Sequence, residues 1–183
     1  MRKLIYAMQV SLDGFIAGPG GDIGWSAPDE ELHRFHNQRV RETGASLLGR
    51  RLYETMRYWE TASGDVPGPA GEYARIWRAA DKVVHSSTLE HVTTARTRLV
   101  ASFDPAAVAQ LKESSILDVS VGGATLAAEA FRAGLVDDVH LFLHPVLVGG
   151  GTRALPDGVR AQLELVALDR VGEVVHLHHR VPH

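Results

Sequence analysis

Short apolar runs rich in Val, Ile and Leu recur along the chain at Leu4–Val10, Ala45–Leu48, Lys82–His85, Arg98–Ala101, Ile116–Val121 and Val139–Val148. Each has the length of a strand and is bounded by Gly, Pro, Ser or Asp. Between them the spacing turns helical. Leu32, Phe35, Arg39 and Val40 share one face behind a start at Ser26-Ala27-Pro28-Asp29, where Ser26 and Asp29 have the spacing of a capping box. Leu52, Met56 and Trp59 form a second stripe, and Tyr73, Ile76, Trp77 and Ala80 a third. Asp104 followed by Pro105 is a cap and first-turn pair for a helix to about Glu113, and Leu126, Ala127, Ala130 and Phe131 make another apolar face that Gly134 closes. Strands alternating with helices predict an α/β fold with a mainly parallel central sheet flanked by helices. The tail departs from that alternation. Gln162–Leu168 and Val171–Val181, joined at Asp169-Arg170 with no helix between them, predict a C-terminal antiparallel hairpin at the sheet edge. Residues 61–71 read as a surface loop, because the same period resumes on both sides, so residues 1–183 are expected to form a single domain.

Composition changes this picture little. The 183 residues are 45% hydrophobic and 22% charged, which suits one compact core. A formal net charge of -3, with Lys and Arg scattered among Asp and Glu, offers no basic block for nucleic acid or an anionic membrane, so any anion must be held locally. The chain has no cysteine, which excludes disulfides, thiolate nucleophiles and zinc-thiolate sites. Met1-Arg2-Lys3 before an apolar stretch mimics a signal peptide, but Gln9, Ser11 and Asp13 cut the stretch short and a first core strand explains it better. A cytoplasmic protein is expected.

Candidate chemistry gathers just after the strands, because ligands of open α/β sheets settle outside the carboxyl ends of the strands. The second predicted strand ends at Gly49-Arg50-Arg51, the third at Ser86-Ser87-Thr88 and the fifth at Gly122-Gly123-Ala124-Thr125. Two guanidiniums, a set of hydroxyls and a glycine-opened helix start together suit a ligand with several phosphates, although each alone also reads as an ordinary turn or helix start. Gly18-Pro19-Gly20-Gly21 lacks the strand-to-helix context of a dinucleotide fingerprint and reads as a loop. Among the ten histidines, His33 with His36, and His176 with His178 and His179, invite a metal hypothesis. His176 and His178 share a strand face, but no spacing fixes a third ligand; a face turned to solvent or to a partner subunit is expected, and no metal. His144, ahead of Pro145 on the ligand side, and Trp25, between a loop and the first helix, are candidate substrate contacts.

The spacing of Gly49-Arg50-Arg51, Ser86-Ser87 and Gly122-Gly123, with the opening Val10-Ser11-Leu12-Asp13-Gly14-Phe15-Ile16-Ala17 and the later Pro145-Val146-Leu147-Val148-Gly149-Gly150-Gly151, resembles the dihydrofolate reductase superfamily. It is closest to the branch typified by the reductase domain, the C-terminal domain, of the bifunctional riboflavin-biosynthesis enzyme. The resemblance implies a dihydrofolate reductase-like fold and NADPH as hydride donor. It implies that Arg50 and Arg51 contact phosphate beside Gly49, and that Ser86 and Ser87 meet the adenosine 2'-phosphate. Gly122, Gly123, Ala124, Thr125 and Leu126 would lie under the pyrophosphate, with Ala7, Ile16 and Ala17 edging the nicotinamide. Glu31, the candidate catalytic acid, lies near the position of the family's substrate-gripping acid; a one-residue shift would put Glu30 or Asp29 there instead, and all three also suit the first turn of a helix. The implied activity is reduction of a small heterocyclic, pterin- or pyrimidine-like, or carbonyl substrate, similar to 5-amino-6-(5-phosphoribosylamino)uracil reduction. The alternatives are a non-catalytic nucleotide- or ligand-binding protein on the same fold, and a true dihydrofolate reductase. A homodimer is also implied, with the Val139–Val148 strand and the terminal hairpin as its candidate surface.

Overall fold

The computed structural model describes residues 1–182. In chain order they form β1 (Leu4–Ser11), β2 (Phe15–Ala17), α1 (Glu30–Val40), β3 (Thr43–Gly49), α2 (Arg50–Met56), α3 (Tyr58–Thr61), α4 (Pro69–Ala79), β4 (Asp81–His85), β5 (Thr97–Val100), α5 (Pro105–Ser114), β6 (Asp118–Gly122), α6 (Ala124–Arg132), β7 (Asp138–His144), β8 (Thr152–Arg153), β9 (Glu164–Val171) and β10 (Val174–Arg180). Eight strands make one sheet in the order β5-β4-β3-β6-β1-β7-β10-β9, and β2 pairs with β8 in a small ribbon. The pairs from β5 to β7 are parallel, and β10 joins β7 and β9 antiparallel, the sheet of the dihydrofolate reductase-like fold. Among the described residues no helix is long and apolar enough to cross a membrane.

Alternation along β1 sorts the two faces. Leu4, Tyr6 and Val10 are buried on one face; there Leu4 and Tyr6 join Leu47, Val119, Val121 and Val139 under Val108 of α5 and Ala127 and Ala130 of α6. Tyr6 stands edge-on to Phe131 at 5.7 Å and donates its hydroxyl to the Ala154 carbonyl at 2.5 Å. The opposite face carries α1 over β7 and β10, and α4 over β3 and β4, with Leu32 packed on Phe142 and Trp77 on Leu48 and Val84. Asn37 ties the two helices by donating to Pro69 O and Glu72 Oε2 at 2.9 and 2.7 Å.

Local signals were followed in most places. Asp104 Oδ1 accepts from Ala106 N at 2.9 Å with Pro105 in the first turn, and Gly134, at φ 65°, closes the turn after α6. Three boundaries differ. The cap of α1 is Asp29, whose Oδ1 accepts from Leu32 N at 2.8 Å, while the Ser26 hydroxyl donates to Ile23 O in a preceding 3-10 turn. The terminal hairpin turns at Gly172-Glu173 rather than Asp169-Arg170, because Gly172 alone adopts the positive φ (59°) that a two-residue turn requires. The loop at 61–71 is shorter than expected, since Pro69 opens α4.

Candidate functional site

At the carboxyl edge of the sheet, two strand-to-helix junctions lie side by side, β3 into α2 and β6 into α6. They meet through glycine. A Cβ on Gly122 would come 2.4 Å from Leu52 Cδ2, and one on Gly123, whose φ is 91°, would lie 3.6 Å from Gly49 Cα. Gly123 takes a backbone conformation that side chains rarely adopt, a Cβ on Gly122 would push the Leu52 side chain aside, and the first N–H groups of α6 have no partner within the helix. Arg50 and Arg51 follow at the start of α2. Arg50 pairs with Glu54 at 3.4 Å, whereas Arg51 is exposed with no ion-pair partner among the described residues. Beside them, the Ser86 hydroxyl accepts from Thr88 N and Leu89 N at 3.2 and 3.0 Å and lies 3.4 Å from the Thr88 hydroxyl, and Ser87 is exposed. An open groove of about 420 Å³ runs on past Ala124, Thr125 and Arg132 to Gly151 and Arg153.

The two sequence segments Ser11–Ala17 and Pro145–Gly151 prove to be halves of one structure. The Asp13 carboxylate accepts from Gly149 N at 2.7 Å and from Val148 N at 3.2 Å, and Ala17 pairs with Thr152 across the β2–β8 ribbon. The Ser11 hydroxyl and these N–H groups hold the Asp13 carboxyl below its usual range, against partial desolvation. Gly151 permits the crossing, since a Cβ there would fall 2.1 Å from Ala17 O. Ile16 and Ala17 are thereby fixed beside the strand ends.

Between α1 and α4 the sheet is left open. Ala7 is exposed although it sits in the middle of β1, flanked by β6 and β7, and the Ser120 hydroxyl donates to Ser46 Oγ at 2.9 Å nearby. A central strand shows an exposed alanine only where no element covers it, so Ala7 is the floor of a trough. One step along the same face, Gln9 links two imidazoles: His144 Nε2 donates to Gln9 Oε1 at 2.5 Å, and Gln9 Nε2 donates to His36 Nε2. The amide thereby assigns tautomers, with the proton on Nε2 in His144 and on Nδ1 in His36. Burial holds both rings neutral, pushing His36 down to about 3 and lowering His144. Trp25 stands edge-on to His144 at 5.5 Å. Gln9 was not singled out as a site residue from sequence, and His36 only beside His33 as a metal candidate; the alternation of β1 places Gln9 on the face of Ala7, but its partners come from elements 27 and 135 residues away.

Glu31, Glu30 and Asp29 lie elsewhere. All three are exposed: Asp29 caps α1, Glu30 pairs with Arg34 at 2.7 Å, and Glu31 Oε2 lies 3.9 Å from where a Cβ of Gly172 would be, over the terminal turn. The expected outward-facing histidines are a second difference. His176 is 1% exposed, because its strand β10 pairs with β7 and α1 lies across that face.

A curated relative, the uncharacterized protein YyaP of Bacillus subtilis, is 29% identical over 151 residues, covering 82% of this chain and 78% of that protein. Three solved structures share the fold. A proposed riboflavin biosynthesis protein of Shewanella sp. PV-4 matches over all of both chains with a TM-score of 0.76 at 16% identity. The diaminohydroxyphosphoribosylaminopyrimidine deaminase/5-amino-6-(5-phosphoribosylamino)uracil reductase of Thermotoga maritima matches with a TM-score of 0.66 at 18% identity, over 99% of this chain and 57% of that one. Dihydrofolate reductase of Enterococcus faecalis, solved with NADP(H), matches with a TM-score of 0.62 at 16% identity, over 99% and 97%. The family model of the RibD C-terminal domain matches residues 2–177, and the chain belongs to that family.

Proposed function

We propose that this protein is an NADPH-dependent reductase acting on a small heterocycle of pterin or pyrimidine type, or on a carbonyl compound, as the reductases among its structural relatives suggest. The observation that carries the reading is the meeting, at one sheet edge, of bare glycine backbone, an unpaired guanidinium and a trough floored by Ala7. The glycine junctions fit a pyrophosphate: the backbone is close, its N–H groups are uncovered, and Ala124 and Thr125 add little bulk. Arg51, with the hydroxyls of Ser86 and Ser87, suits the extra phosphate that separates NADPH from NADH. Bound NADPH would supply the hydride. Ala7, Ile16 and Ala17 would let a flat ring lie against the strand edge. Trp25 would wall the substrate space and shed water from His144. His144, its proton held on Nε2 by Gln9, would keep Nδ1 as an acceptor for a ring N–H or hydroxyl of the substrate.

A homodimer through the face of β7, β10 and β9 opposite α1 accords with this reading, since Leu168 is exposed there beside the half-buried Leu141, Leu143 and Leu177. A cytoplasmic location accords with it too. The exposure of Asp29, Glu30 and Glu31 favours one other reading, a ligand-binding protein without catalysis. Calorimetric titration with NADPH and with NADH separates the two. Micromolar binding that prefers NADPH, weakened about tenfold by Arg51→Ala with the melting temperature unchanged, is the expected result. Binding of neither nucleotide would sink the reductase reading.

A further inference from the structure

On the α1 side of the sheet, at the end of β7 remote from His144, Asp138 and His140 lie two residues apart and point the same way, and the antiparallel register sets His178 of β10 directly opposite His140. One ligand atom from each of the three lies within 4.8 Å of the other two. The cluster is interior, with Asp138 3% and His140 1% exposed. Asp138 Oδ1 is buried with no hydrogen-bond partner. So is His178 Nε2, which lies 3.3 Å from Asp138 Oδ2 but out of line for a bond. One carboxylate oxygen and one imidazole nitrogen of the cluster thus have no hydrogen-bond partner among the described residues.

A hydrogen-bond chain prepares the third group. Asp169 Oδ2, as a carboxylate, accepts from His176 Nδ1 at 3.0 Å, which leaves His176 Nε2 as an acceptor. That nitrogen lies 2.9 Å from His140 Nδ1, so His140 carries its proton on Nδ1 and its lone pair on Nε2. A carboxylate that orients an imidazole through its far nitrogen is the usual outer support of a metal ligand, here with one extra imidazole in line.

We propose that Asp138, His140 and His178 bind a divalent transition cation of the zinc class. Two imidazole nitrogens and one carboxylate oxygen favour Zn²⁺, Co²⁺, Ni²⁺ or Cu²⁺ over Mg²⁺ and Ca²⁺, and leave a fourth position for water. The charges that face the cluster are Lys3, whose Nζ is 2.6 Å from Asp138 Oδ2, and Arg39, whose Nη2 is 2.9 Å from each ring nitrogen of His140. These side chains hold the ligands in the way a metal would, and both must give way to one. Lys3, near the chain start and 44% exposed, has solvent to move into. The bound ion would clasp β7 to β10. Along β7, four residues of strand, roughly 13 Å, separate His140 from His144, and the parallel register sets His140 beside Ala7 of β1. The sequence showed His176 and His178 without a third ligand; β7 supplies two, across a pairing that spacing does not reveal.

The test is a Co²⁺ titration of the chelator-stripped protein, followed by visible absorption and by displacement with Zn²⁺. One equivalent with the absorption of a four-coordinate site is expected. Affinity should fall by at least about tenfold in His178→Gln and Asp138→Asn, fall about tenfold in Asp169→Asn, and rise about tenfold in Lys3→Met, which removes the competing ammonium. A folded His178→Gln protein that binds Co²⁺ as the parent does, or a Lys3→Met protein no tighter than the parent, would overturn the proposal. Should Asp138→Asn fail to fold, the two partly exposed positions Lys3 and His178 decide it.

Discussion

The two halves of the α1 side of the sheet are built on opposite principles. Toward β3 and β6, the surface is made by leaving side chains out: Gly49, Gly122 and Gly123 bring bare backbone to the strand ends, and Ala7 leaves the trough open. Toward β7 and β10, it is crowded with imidazoles and aromatics: His140 and His176 lie parallel at 5.2 Å, His140 and His178 stack at 4.1 Å, and His36 stands against Phe142 at 4.3 Å. The first half presents main chain rather than titratable side chains. The second stores titratable groups out of water, where neutrality is a condition of folding.

Acid should break the second half first, and this is the largest effect expected. His36 is held at about 3, far below an imidazole in the unfolded chain, so the unfolded state takes up a proton that the folded state refuses. Its contribution is present above the unfolded value near 6.5 and is lost as pH falls toward 3. Each unit costs about 1.4 kcal/mol, so roughly 3 kcal/mol should go between pH 6.5 and 4.5, with His144 adding in the same direction. Urea unfolding at several pH values checks this, and His36→Gln should flatten the slope; an unchanged slope would mean that the ring is not kept neutral by the fold.

The first half should answer to bulk. Gly123→Ala places a side chain at φ 91° and is expected to cost about 1–2 kcal/mol in melting experiments and to weaken NADPH at any pH. Smaller still, Asp13→Asn keeps the shape but weakens the acceptor for Gly149 and Val148. We expect about 1 kcal/mol and faster amide exchange over residues 146–152. Smallest of all, Glu31→Gln should leave both stability and turnover near the parent, within ±0.5 kcal/mol, because its carboxylate is solvated. A large loss of turnover with NADPH affinity intact would move the catalytic acid back to α1.

The glycine half was readable in the sequence and the imidazole half was not, for a physical reason. A Gly-Gly between an apolar run and a helical stripe reports its own backbone, as does Asp104-Pro105 at a helix start, so both could be placed from neighbours in the chain. His140 and His178 acquire meaning only when β10 pairs with β7, and Gln9 only when α1 and β7 bring His36 and His144 to it. The Asp13 and Gly149 segments were each recognised, yet the bond between them spans 136 residues. The misplaced terminal turn teaches the same lesson in small: Asp169 and Arg170 have turn-like composition, but Gly172 has the backbone freedom, and it fixed the register that turns His176 inward.

The position of β6 between β3 and β1 bears on how this chain reaches its shape. Strands that end up two places apart are formed early in the chain, and the one that joins them begins only at Asp118. No nascent segment shorter than that can assemble the middle of the sheet, and β1 must wait with both edges open until β6 and β7 arrive. Contacts between such distant parts of the sequence make for slow folding and a long exposure of unpaired strands. The Gly122-Gly123 junction ends that same late strand, so it takes its place only together with the middle of the sheet.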